Sequence, residues 1–196
     1  LQDAATEAEA VARVQDLRFA LDMLLASGLA PRLDAQRIAA AGHSYGANTT
    51  LLAAGAVVRR DGVPVSLREP RVRAAVALSA PPFYGEPDLP AVLGGVAVPT
   101  LHVTTTEDVI RIPGYESGAE DRLAVFDATG GPYKWLAQFS QGRHSSFVGR
   151  APDSDPLLTA TRELVLAFVR RSTGLDEGGL ENWRLRHAAL LARLVA

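Results

Sequence analysis

At 196 residues the chain amounts to about one domain at the usual ~150 residues apiece, and 47% hydrophobic with 21% charged residues excludes a disordered or collagen-like polypeptide. Twenty Lys+Arg against 22 Asp+Glu leave a net charge of -2, so no basic excess exists to neutralise nucleic acid or an anionic membrane surface. The lack of cysteine excludes disulfides, Cys-ligated metal centres and a thiol nucleophile, while cytoplasmic and secreted or periplasmic locations both stay open.

The chain opens Leu1-Gln2-Asp3-Ala4 without Met, basic n-region or apolar h-region, so no signal peptide is visible. Apolar positions Val11, Val14, Leu17, Leu21, Leu24 and Leu25 then recur every three or four residues, predicting a helix from Ala4 to Ser27 that Gly28 stops. Arg37 to Ala41 is a short apolar run closed by Gly42 and reads as a strand buried on both faces. Ala47 to Arg59 returns to helix until Asp61-Gly62 and Pro64 break it. Val72 to Ser79 and Thr100 to Thr105 read as the second and third strands. A mobile-looking loop from Arg111 to Gly118 leads to a helix over Ala119 to Ala128, and Tyr133 to Ser140 is the fourth strand. Helices over Pro156 to Ser172 and Leu180 to Val195 close the chain. The longest apolar runs, Leu51 to Val58 and Val92 to Val98, are far shorter than the ~20 residues a membrane-crossing helix needs.

Strands separated by helices imply a single α/β domain over 1–196, with a mostly parallel sheet covered by helices on both faces. Chemistry in such sheets gathers at the carboxyl ends of the strands. At the first of these ends stands Gly42-His43-Ser44-Tyr45-Gly46, a G-x-S-x-G pattern between a predicted strand and a predicted helix, the context a nucleophile elbow requires. The flanking glycines are expected to let strand and helix approach closely, and the Tyr45 amide at the helix start is a candidate oxyanion donor.

A serine hydroxyl needs a histidine base oriented by a carboxylate. Of the four histidines, His43 lies inside the elbow, His102 in a predicted strand and His187 in the terminal helix. His144, in a loop after the fourth strand, is therefore the preferred base. Glu107 and Asp108 follow the third strand on the same sheet edge. Asp108 is preferred because a residue past the strand end turns back more easily, with Glu107 as the alternative. Glu116, Glu120 and Asp121 read as solvated charges. Pro82, Phe83 and Tyr84 are candidate substrate-lining residues, with loop packing equally compatible. No H-E-x-x-H or comparable ligand cluster suggests a metal, and no cofactor is implied.

The order Ser44, Asp108, His144 resembles that of serine α/β-hydrolases, nearest to predicted dienelactone hydrolases and platelet-activating-factor acetylhydrolase-like esterases. The resemblance runs through Asp16 to Asp22, Ile38 to Ala47, Arg71 to Ser79, Thr106-Glu107-Asp108 and Gly142 to Phe147, and only the elbow is specific by itself. It implies hydrolysis of a small-molecule carboxylic ester through an acyl-enzyme, with Ser44 as nucleophile, His144 as base and Asp108 as acid. A serine peptidase of the prolyl-oligopeptidase type shares the same order. Members of the fold place several strands before the nucleophile, whereas here the elbow strand comes first. A longer precursor is therefore expected, with its N-terminal segment as the partner that supplies the missing strands and the second oxyanion donor; without it the chain would be an inactive half-domain.

Overall fold

The computed structural model describes residues 7–60, 62–148 and 155–196. Its centre is a five-stranded sheet in the order β1-β4-β5-β8-β9, formed by Ile38–His43, Val72–Leu78, Thr100–Glu107, Lys134–Arg143 and Leu191–Val195. The first four are parallel neighbours, with Gly42 beside Ala77, Ala77 beside His102, and Thr104 beside Gln138. This register brings the carboxyl ends of four strands to one edge of the molecule.

Small side chains explain why helices lie close on both faces. Alternate residues of β4 point opposite ways, so Ala75 and Ala77 meet one layer while Ala74 and Val76 meet the other. The first layer contains α1 (Glu7–Leu25) and α2 (Tyr45–Ala54), with Val14, Ala47, Leu51 and Leu52 in its core. The second contains α5 (Pro156–Ser172) and α6 (Gly179–His187), with Leu164, Phe168 and Trp183 at its centre. Asp155 begins α5 by accepting hydrogen bonds from the amides of Leu157 and Leu158 at 2.8 and 3.1 Å, and Pro156 fits the first turn because it has no amide to satisfy there. Two short helices, α3 (Leu89–Leu93) and α4 (Ala119–Ala128), complete the first side. Lys134 holds the end of α4, donating from Nζ to the carbonyls of Phe126, Asp127 and Thr129 at 2.8 to 2.9 Å.

Three predicted elements are different. The helix expected through Arg59 ends at Ala54, because Gly55 takes φ +123° and its backbone passes against Gly95; the chain continues as the β2–β3 hairpin (Val57–Arg60 and Val63–Ser66). The segment expected to be a mobile loop is a second hairpin, β6 (Ile110–Ile112) and β7 (Tyr115–Ser117), turned by Gly114 at φ +78°. The final helix expected to reach Val195 stops at His187, and Leu191–Val195 becomes β9, antiparallel to β8. Leu191 and Leu194 suit either period over so short a run, and the outer edge of β8 offers them a ladder of backbone hydrogen bonds. The sheet therefore has five strands rather than the four legible in the sequence. Residues 1–6, which include the first three of the helix expected from Ala4, residue 61 of the expected break and residues 149–154 lie outside the described residues.

Candidate active site

Ser44 sits between β1 and α2 with φ 56° and ψ −125°, a region that non-glycine residues avoid and that costs about 1–3 kcal/mol. Its amide donates to the Leu78 carbonyl at 2.9 Å, and its carbonyl accepts from the Ala47 amide at 2.9 Å, so the turn is fixed to both the sheet and the helix. Gly42 is what allows the turn: a Cβ there would lie 2.1 Å from the Gly46 carbonyl oxygen and 2.8 Å from the Ala47 nitrogen. Gly46 has no such duty, since a Cβ on it would meet nothing within 4 Å, which corrects the expectation that both glycines are needed for close approach. Tyr45 opens α2, where first-turn amides lack an intrahelical acceptor, and its ring lies 4.8 Å beneath the Arg13 guanidinium.

His144 follows β8 directly. It starts a 3-10 turn, His144–Phe147, rather than a flexible loop, anchored by buried Phe147 and by the Arg143 amide donating to Ser146 Oγ at 2.9 Å. Its Nε2 is 2.8 Å from Ser44 Oγ, and its Nδ1 is 2.8 Å from Asp108 Oδ1. One hydrogen-bonded line thus joins residues 44, 144 and 108. Glu107, the alternative acid, ends β5 with an exposed side chain. His102 is buried in β5, edge-on to Phe126, and His187 bonds Glu163 Oε2 at 2.8 Å on the far helix layer, so neither competes as base.

Asp108 is fully buried. Burial alone would push its carboxyl up. Hydrogen bonds from His144 and Thr104 and the positive charge of Arg122 outweigh that and hold it below the ordinary carboxylate range. Thr104 Oγ1 donates to Asp108 Oδ2 at 2.8 Å, so each carboxylate oxygen has a partner. Ser79, at φ 52° after β4, contributes to the same lowering by proximity, although its hydroxyl makes no well-formed hydrogen bond. His43 donates from Nε2 to the His144 carbonyl at 2.7 Å, with the two rings 4.6 Å apart, and burial lowers its basicity. The elbow histidine therefore braces the His144 backbone.

Of the candidate substrate-lining residues, Phe83 is buried, with 7% of its surface exposed, in the core cluster that also holds Leu51 and Leu52 of α2. Pro82 is half-buried, while Tyr84 is exposed with its ring 6.4 Å from that of Tyr115 on β7. Thr104, Arg122 and His43 escaped the sequence reading. Arg122 did leave a signal, for it shares a three-to-four spacing with Val125 and Phe126 and so places a charge on the apolar face of α4. Among the described residues no group of three metal-ligating side chains forms, and no helix is long and apolar enough to cross a membrane. The sequence matches no protein-family model and no curated protein.

Proposed function

We propose that the protein is a serine hydrolase of the α/β-hydrolase fold that cleaves carboxylic esters through an acyl-enzyme. The observation that carries this reading is the line Ser44 Oγ, His144 Nε2, His144 Nδ1, Asp108 Oδ1, with both bonds at 2.8 Å. Asp108 accepts a hydrogen bond from the Nδ1–H, which keeps its proton, and so fixes the tautomer that leaves Nε2 unprotonated, ready to accept the Ser44 proton. Ser44 Oγ then attacks the ester carbonyl, and the developing oxyanion turns to the Tyr45 amide at the N-terminus of α2. His144 passes the proton to the departing alkoxide, which leaves as an alcohol. Water, deprotonated in turn by His144, releases the acid and restores Ser44.

Three features support the reading. The strained φ at Ser44 is of the kind retained where a side chain must be presented, the Gly42 crossing forces that presentation, and the ionised Asp108 is held in place by Thr104. Treating the protein with a fluorophosphonate and mapping the adduct by mass spectrometry should place it on Ser44, and a p-nitrophenyl ester should be turned over while a peptide anilide is not. An adduct on another residue, or ester turnover that survives Ser44→Ala, sinks the assignment.

A further inference from the structure

We infer that Arg122 is a positioning residue that sets the pH at which the Asp108–His144 pair takes up a proton, an inference that rests on the functional reading above. Arg122 lies on α4 with only 2% of its side chain exposed, and its Nε is 3.4 Å from Asp108 Oδ1. A guanidinium stays charged under any conditions a protein survives, so burying one is tolerated only where an anion or hydrogen-bond acceptors compensate. Here the hydrogen bonding is sparse. Nη1 donates to Ser117 Oγ, while Nε and Nη2 have no hydrogen-bond partner among the described residues. Asp108 is thus the compensating charge, and the pair is electrostatic more than hydrogen-bonded.

The oxygen involved matters. Oδ1, which faces Arg122, is the same atom that accepts from His144 Nδ1, whereas Oδ2 is taken by Thr104. A fixed positive charge 3.4 Å from that oxygen opposes any proton added to the Asp108–His144 pair as a unit, in line with an Asp108 carboxyl that lies below its ordinary range. Among the described residues the other groups facing the pair are His43 from β1, whose basicity burial lowers, and the hydroxyls of Thr104 on β5 and Ser79 after β4. Ser117 on β7, which accepts from Arg122 Nη1, donates in turn to Asp121 Oδ2 at 2.6 Å, so its hydroxyl links the guanidinium to the carboxylate of Asp121. The β6–β7 hairpin and the start of α4 thereby hold a cation against the acid.

The test compares Arg122→Met and Arg122→Gln, two neutral side chains of different shape, with Arg122→Lys, which keeps the charge. The midpoint at which the pair takes up a proton is followed by imidazole nitrogen NMR on the full chain, alongside the acid limb of kcat/KM for a p-nitrophenyl ester. In whichever neutral variant folds, midpoint and limb should rise together by about one pH unit, the lower end for an opposite charge removed at this range. Arg122→Lys should stay near the wild type. A neutral variant whose midpoint does not move, or a lysine variant that moves as far as the neutral ones, overturns the inference. Should the midpoint rise in the neutral variants while the wild-type protein hydrolyses no ester, the functional reading fails and this electrostatic role stands.

Discussion

His102 within β5 and Asp108 just past its end show how one stretch of chain can keep one titratable group neutral and another ionised. Asp108 has partners for both oxygens, whereas His102 faces Phe126 with its Nε2 unpartnered among the described residues. Burial, helped by the nearby charge of Lys134, pushes His102 down to about 3 from 6.5. Because the folded value lies below the unfolded one, the unfolded chain takes the proton first, and stability falls as pH drops from about 6.5 toward 3. His102→Leu should remove that contribution, which is measurable as a smaller drop in Tm between neutral and mildly acidic buffer. An unchanged acid-side slope would show that other groups dominate. The sequence made Ser44, Asp108 and His144 readable as a candidate site because each follows a strand end at the same sheet edge. Thr104 and Arg122 were not readable in the same way, since a threonine in a strand and an arginine in a helix are ordinary residues until the fold folds them around a carboxylate.

Among the elements, α1 depends on a polar clasp as much as on its apolar face. Arg18 Nη2 donates to the carbonyls of Leu67 and Arg68, both at 2.8 Å, and Arg71 reaches Asp22 on the helix while gripping both oxygens of Glu69 at 2.8 Å. The Arg71 hydrogen bonds hold the Glu69 carboxyl down at about 2. Its folded value being lower than its unfolded one, the clasp stabilises above about pH 4.5 and is lost as pH falls toward 2. Glu69→Gln should therefore lower the urea midpoint near neutral pH and converge on the wild type near pH 2. A constant difference across that range would mean that the loss is one of packing alone. Periodicity revealed α1, α4 and α5 because long amphipathic stretches carry a strong signal. It misjudged β9 and both hairpins, whose three to five residues per strand are decided by which backbone edge is waiting for them.

For the molecule as a whole, alternating strands and helices were enough to indicate a parallel sheet covered on both faces, because parallel crossovers leave few other arrangements. The two margins of that sheet are unlike. On one side β9 reverses and covers β8; on the other, β1 pairs with β4 alone among the described residues. Since the Ser44 amide bonds toward Leu78, the two-residue alternation of a strand turns the amides of Ala39, Ala41 and His43 outward. Those three should exchange hydrogen for deuterium much faster than Val76 and Ala77 in the central strand, and equal protection would mean that the margin is occupied. The strand that ends at Ser44 is thus a margin strand with a single neighbour among the described residues, and its opening sets a local free energy smaller than that of the whole fold. Any extended backbone that settles along it makes the turn at Ser44 costlier to open, and by reciprocity a ligand that steadies Ser44 tightens the grip on that backbone.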